Sequence, residues 1–109
     1  MDKLVKIGNN SYHMRSSLYT PYKYRQDTGK DLLEEIKVLN PKEAKVEMME
    51  MVYKVIDIAY VMMAEYSNYY HEKMVTKEEW LMNIDNILED TNWIYDVLTL
   101  AMFPFRRTN

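Results

Sequence analysis

Residues 48 to 70 read MMEMVYKVIDIAYVMMAEYSNYY, and their spacing decides the fold. Apolar side chains recur at Met48, Met51 and Val52, Val55 and Ile56, Ala59, Met62 and Met63, Tyr66, and Tyr69 and Tyr70. A three-to-four spacing sustained for roughly six turns is the signature of a long amphipathic helix. Glu50, Lys54, Asp57 and Glu65 are expected on the opposite, solvated side, and charges so placed exclude a membrane-spanning reading. Met49, Ile58, Tyr60 and Val61 fall off the main stripe, so the helix is apolar on more than one side. Such a helix is either central in a bundle or shared with a neighbouring subunit.

Upstream, Asn40 before Pro41 caps this helix, with Glu43 and Glu47 near its positive end. Before that lies TPYKYRQDTGKDLLEEI (20 to 36), where Thr20 and Pro21 read as an N-cap and first helical position. Gly29 stops or bends that short helix, and Lys30 opens a second helical pattern. The first 17 residues alternate around Gly8, Asn9 and Asn10, as in a β-hairpin. Downstream, Thr76 followed by Glu79 forms a capping box ahead of Trp80, Leu81 and Ile84. A last helix, Thr91 to Met102, carries Trp93, Ile94, Val97, Leu98 and Ala101 on one side, and Pro104 ends it. The expected fold is mainly α: a small bundle of about four or five helices, one of them long and central, with a short N-terminal hairpin. We expect one domain over 1–109: hairpin 1–17, helical part 20–103 and basic tail 104–109.

Composition narrows function by exclusion. The chain has 109 residues, no cysteine, ten methionines, ten tyrosines and a net charge of −3. Without cysteine there is no disulfide framework, thiolate metal site or cysteine nucleophile, which fits a reducing compartment. No signal-peptide core and no apolar run of about 18 residues is present, so an intracellular protein off the membrane is expected. His13 falls in a strand and His71 at a helix end, and HEK at 71 to 73 is not the HExxH of a metal site. The acidic pairs Glu34/Glu35, Glu78/Glu79 and Glu89/Asp90 read as solvated faces and caps. Neither a phosphate loop nor a nucleophile elbow occurs, so no enzyme and no cofactor is expected. Lys23, Arg25 and Lys30 interleave with Tyr22 and Tyr24, but Asp27, Asp31, Glu34 and Glu35 follow at once. The local field is near zero, and nucleic acid is not expected.

The order of elements, taken with specific words, resembles the tail assembly chaperones of long-tailed, siphovirus-type phages and prophages of Gram-positive bacteria. Members open with a short strand pair, continue with a threonine-proline and a Tyr-x-x-x-x-Gly-Asp-type phrase, and then show an "AYVMA" helix, "EEWL" and an amphipathic helix. Here those words are TPYKYRQDTGKDLLEEI (20 to 36), IDIAYVMMAEY (56 to 66), KEEWLMNIDN (77 to 86) and IYDVLTLAM (94 to 102). The resemblance covers nearly the whole chain from Val5, and the ending AMFPFRRTN departs from the aromatic-rich acidic or neutral tail of relatives. It implies a non-enzymatic assembly factor of the host cytoplasm that binds the tape measure protein, keeps it soluble, helps recruit tail tube protein and leaves the finished virion. In many relatives a ribosomal frameshift also makes a longer form.

Methionine-rich surfaces repack against many helices, and a hairpin edge can pair between copies, so a homo-oligomer is expected. The residues expected to meet partners are Tyr22, Tyr24, Arg25, Met48, Met51, Val52, Val55, Met62, Met63 and Tyr66. The alternative is a small helical DNA-binding or regulatory phage protein acting through Lys23, Arg25, Arg106 and Arg107.

Overall fold

A computed structural model describes residues 1–39 and 48–106. The chain runs β1 (Asp2–Ile7), β2 (Asn10–Arg15), α1 (Tyr19–Thr28), α2 (Leu32–Val38), α3 (Met48–Tyr69), α4 (Lys77–Asn83), α5 (Asn92–Ala101) and a closing 3-10 turn, Phe103–Phe105. It is mainly helical, with one long helix and an N-terminal antiparallel hairpin, as the periodicities require. The cap at Asn40 and Pro41, the charges at Glu43 and Glu47, and Arg107 lie outside the described residues.

The hairpin pairs Asp2 with Arg15 through Ile7 with Asn10. Its loop is Gly8–Asn9, and Gly8 takes φ 64° at no steric cost. Period two puts Val5, Ile7 and Met14 inside, all but fully buried, and leaves Leu4 outside. The tip is pressed against the chain between α4 and α5: a Cβ added to Gly8 would stand 1.9 Å from the Asp85 carbonyl oxygen, and Asn9 donates to the Asp85 carboxylate at 3.1 Å.

α3 is the centre of the molecule, with β2, α1 and α5 packed around it. Val52, Val55, Ile58, Ala59 and Met62 have no exposed surface at all. Each of the Val, Ile and Met side chains among them contributes about 1.5–3 kcal/mol through loss of apolar hydration. Ile58 and Val61, off the main stripe, are buried too, which selects the central-helix explanation for them. A single hydrophobic cluster joins both strands to all five α-helices, through Tyr24 of α1, Leu32 of α2, Trp80 of α4 and Trp93, Val97 and Leu100 of α5.

Two boundaries and the placement of one side chain differ from the sequence expectation. Helix α1 begins before Thr20, because Ser17 does the capping: its hydroxyl accepts from Tyr19 N–H at 3.1 Å, while Thr20 Oγ1 reaches back to accept from Ser17 N–H at 2.8 Å. Thr20 thus lies inside the first turn and supports Ser17 from there, rather than being the cap itself. Pro104 does not end α5, which stops at Ala101; it sits inside the 3-10 turn. Glu65 is not on the solvated side of α3. It is buried, and accepts hydrogen bonds from Ser17 Oγ at 2.7 Å and Thr20 Oγ1 at 2.6 Å.

The other termini follow their sequence signals. Gly29, at φ 74°, ends α1 with its N–H on the Arg25 carbonyl, and Asp31 caps α2 by accepting from Glu34 N–H. α3 ends in a Schellman motif: Glu72 N–H bonds the Ser67 carbonyl at 2.8 Å, and His71 takes the left-handed conformation at φ 58°. Thr76 caps α4 by accepting from Glu79 N–H at 3.1 Å.

Candidate functional site

The N-terminal half of α3 is covered unevenly, and that unevenness makes a groove. Met49, Val52, Tyr53 and Ile56 stand at i, i+3, i+4 and i+7, so they share one side of the helix. Opposite them are Leu81 of α4 and Ile84 and Ile87 from the chain that follows. The space between is about 390 Å³. Val52 and Ile56 form its floor, whereas Met49, Tyr53 and Leu81 are 40%, 62% and 43% exposed along its walls. One ion pair, Lys77 with Asp57, is the charged element of the lining. Met48, Met82 and Leu88 lie next in sequence to wall and loop residues and are exposed as well.

Trp80 places the far wall. It is the buried residue of α4, packed edge-on to Tyr12 with centroids 5.8 Å apart and tilted against Tyr60 at the same separation. Tyr60 in turn donates its hydroxyl to the Val75 carbonyl at 2.8 Å, tying the approach to α4 onto α3. A seven-residue helix held by one large side chain leaves its other apolar residues, Leu81 and Met82, exposed, with Leu81 lining the groove. Concave apolar space flanked by flexible methionines suits the apolar face of an incoming helix, whose own i, i+3, i+4 residues would fill it.

The ten residues expected to meet partners do not converge on this site. Met48 is exposed at the start of α3 and Met51 is half-buried. Val52 reaches the groove only as floor. Val55, Met62 and Met63 are core, because β2, α1 and α5 cover the rest of α3 and leave these side chains no free surface. Tyr24 is core as well, and burial together with the charges of Glu35 and Asp57 pushes its phenol well above the usual range. Tyr22 and Arg25 are exposed on α1. Tyr66 is half-buried, stacked on His13 with ring centroids 4.7 Å apart and an interplanar angle of 10°. That stack gives His13 a structural place in the hairpin.

The groove residues missed by sequence reasoning are Met49, Tyr53, Leu81, Ile84 and Ile87. Met49 was visible as an apolar residue off the main stripe, but nothing in the sequence brings 49 to 56 beside 81 to 87.

Among the described residues, no group of three or more histidine or acidic side chains is close enough together to hold a metal ion, and no helix is long and apolar enough to cross a membrane. No family model, curated protein or solved structure matches the chain.

Proposed function

We propose that this chain is a phage tail assembly chaperone that binds the tape measure protein without catalysing a reaction, keeps its apolar helices soluble and helps recruit tail tube protein. In this reading it works as a homo-oligomer in the host cytoplasm and is absent from the finished virion. The observation that carries it is the open groove between α3 and α4, where Met49, Tyr53 and Leu81 leave apolar surface unpartnered beside a buried floor of Val52 and Ile56. Burial of such surface by a partner helix is favourable at about 25 cal/mol per Å² before the costs of association. The order of sequence words from TPYKY to IYDVLTLAM supplies the identity of the partner.

The DNA-binding alternative draws no support from the geometry. Of its basic residues Lys23 is paired with Asp27 at 3.1 Å, and the neighbouring Lys30 is paired with Glu35 at 3.5 Å, so part of the basic surface around α1 is already matched by carboxylates. A gel shift at low salt separates the two readings, since phosphate binding strengthens steeply as salt falls.

The direct test is co-expression with helical tape measure fragments, followed by sedimentation of the purified chain. The proposal requires an oligomer and a rise in the soluble fraction of the fragment. A strict monomer that leaves the fragment insoluble overturns it.

A further inference from the structure

The chain has ten methionines, and the fold sorts them by exposure. Met14 and Met62 have no exposed surface and Met63 is 6% exposed, all three enclosed in the hydrophobic cluster that joins strands to helices. Met51 and Met74 are half-buried against the same cluster, and the Met74 sulfur accepts a hydrogen bond from Ser67 Oγ at 3.4 Å. Met102 is half-buried after α5. Four are exposed: Met1, and then Met48 at 51%, Met49 at 40% and Met82 at 74%. Those last three share one place. Met49 is in the wall of the α3–α4 groove, Met48 precedes it on α3, and Met82 follows the wall residue Leu81 on α4.

With no cysteine in the chain, thioethers are the side chains that a mild two-electron oxidant converts most readily from apolar to polar. We propose that Met48, Met49 and Met82 are sites of reversible oxidation by peroxides, and that sulfoxide formation there turns away the apolar partner helix, a consequence that rests on the groove's role as the partner site.

The step balances without help from another residue. A sulfur lone pair takes one oxygen of hydrogen peroxide, an S–O bond forms as the O–O bond breaks, and the departing hydroxide collects the proton of the transferred oxygen as water. Sulfur loses two electrons and the peroxide gains them. In the reverse direction two thiols of a reductant become a disulfide, and the sulfoxide oxygen leaves as water. The new oxygen is a hydrogen-bond acceptor in apolar company. Val52, Ile56, Leu81, Ile84 and Ile87 offer it no hydrogen bond, and the Lys77 ammonium is held by Asp57. An apolar helix face seated there strips water from the sulfoxide without replacing it, which is costly. Because Met14, Met62 and Met63 are enclosed, the same oxidant leaves the core intact and the change stays at the groove.

The experiment treats the full chain with dilute hydrogen peroxide and scores each methionine by peptide mass spectrometry. Met48, Met49 and Met82 are expected to oxidise at least about tenfold faster than Met14, Met62 and Met63, with the circular dichroism spectrum unchanged. Affinity for a helical tape measure fragment is expected to fall at least about tenfold, the scale of one unpaired buried polar group, and methionine sulfoxide reductases with dithiothreitol are expected to restore it. A variant combining Met48→Leu, Met49→Leu and Met82→Leu should keep whatever affinity it has when peroxide is added. Anilinonaphthalene sulfonate fluorescence reads apolar surface without the fragment, and should drop on oxidation in the unaltered chain but not in the variant. If the untreated chain does not bind the fragment, the function proposed above fails and the dye alone decides the effect of oxidation. Oxidation spread evenly over the ten methionines overturns the proposal. So does an oxidised chain that keeps its affinity for the fragment or, where the fragment does not bind, its dye fluorescence.

Discussion

Gly8 lies directly beneath the backbone carbonyl of Asp85, 77 residues away in sequence, with no room for a side chain between them. Two penalties coincide there, a positive φ and a close approach to rigid backbone. Gly29 has the positive φ alone, with open space around it. Gly29→Ala is therefore expected to cost about 1–2 kcal/mol, and Gly8→Ala roughly 2–5 kcal/mol. Urea unfolding of the two variants checks the order, and equal midpoints would contradict the role assigned to the hairpin tip.

At the end of α3 the sequence departs from the best choice. His71 holds the left-handed position of a Schellman motif where glycine is usual, at φ 58°. Histidine is tolerated there, but glycine carries no Cβ strain. His71→Gly should raise stability by about 0.5–1 kcal/mol, the smaller part of the strain remaining after the added freedom of the unfolded chain is counted. A rise of a few degrees in melting temperature is the measurement.

The base of the hairpin is clasped to the end of α3 by Tyr70, which donates to the Asp2 carboxylate, and by Arg15, which pairs with Asp2 across the strands and lies over the Tyr69 ring. The Tyr70 bond and then Arg15 hold the Asp2 carboxyl below its ordinary value, against some desolvation, while the Tyr70 phenol is raised, first by the same bond. A lowered acid contributes stability above its unfolded pKa, near 3.9, and loses it as the pH falls through the folded value. A raised phenol contributes below about pH 10 and loses that contribution as the pH rises through its folded value. The protection of β1 amides, measured against their intrinsic exchange rates, should accordingly fall at both extremes. In Asp2→Asn the acid limb should flatten, and an unchanged acid limb would place the titration elsewhere.

Charges in the α3–α4 groove separate binding from folding. Tyr53 and Leu81 are exposed, so Tyr53→Glu and Leu81→Glu should change stability within about 0.5 kcal/mol. The same substitutions put a carboxylate into the surface offered to a partner helix. Loss of tape measure solubilisation at unchanged unfolding midpoint is expected, and retention of it in both variants would remove the groove from the binding site.

Much of this architecture was legible because local chemistry and global packing agree. The period of 48 to 70, the glycine at 29, the hairpin around Gly8 and the cap at Thr76 each translate into the element they signal. Depth was less legible than type. Helical period identifies an apolar face but not how far neighbouring elements wrap around it, so Val55, Met62 and Met63 read as contact residues when β2, α1 and α5 enclose them. Glu65 was misplaced for the related reason that a charge is expected in solvent until a distant partner is known; its partners are 48 and 45 residues away. The groove was invisible because it joins two segments that sequence keeps some thirty residues apart.

The hairpin is first in the chain, and its anchors come late: Tyr70 for Asp2, Asp85 for Gly8 and Asn9, Asp96 for Lys3. A ribosome therefore delivers the two strands long before the residues that hold them, and each docking contact closes a loop of some seventy residues or more. Such closures are entropically costly and tend to form late. Until α5 emerges, Val5, Ile7 and Met14 have only part of their eventual cover, and the nascent strands are open to pairing with those of a neighbouring nascent copy. Synthesis from adjacent ribosomes would favour strand exchange between copies at the one stage when the finished fold does not yet prevent it.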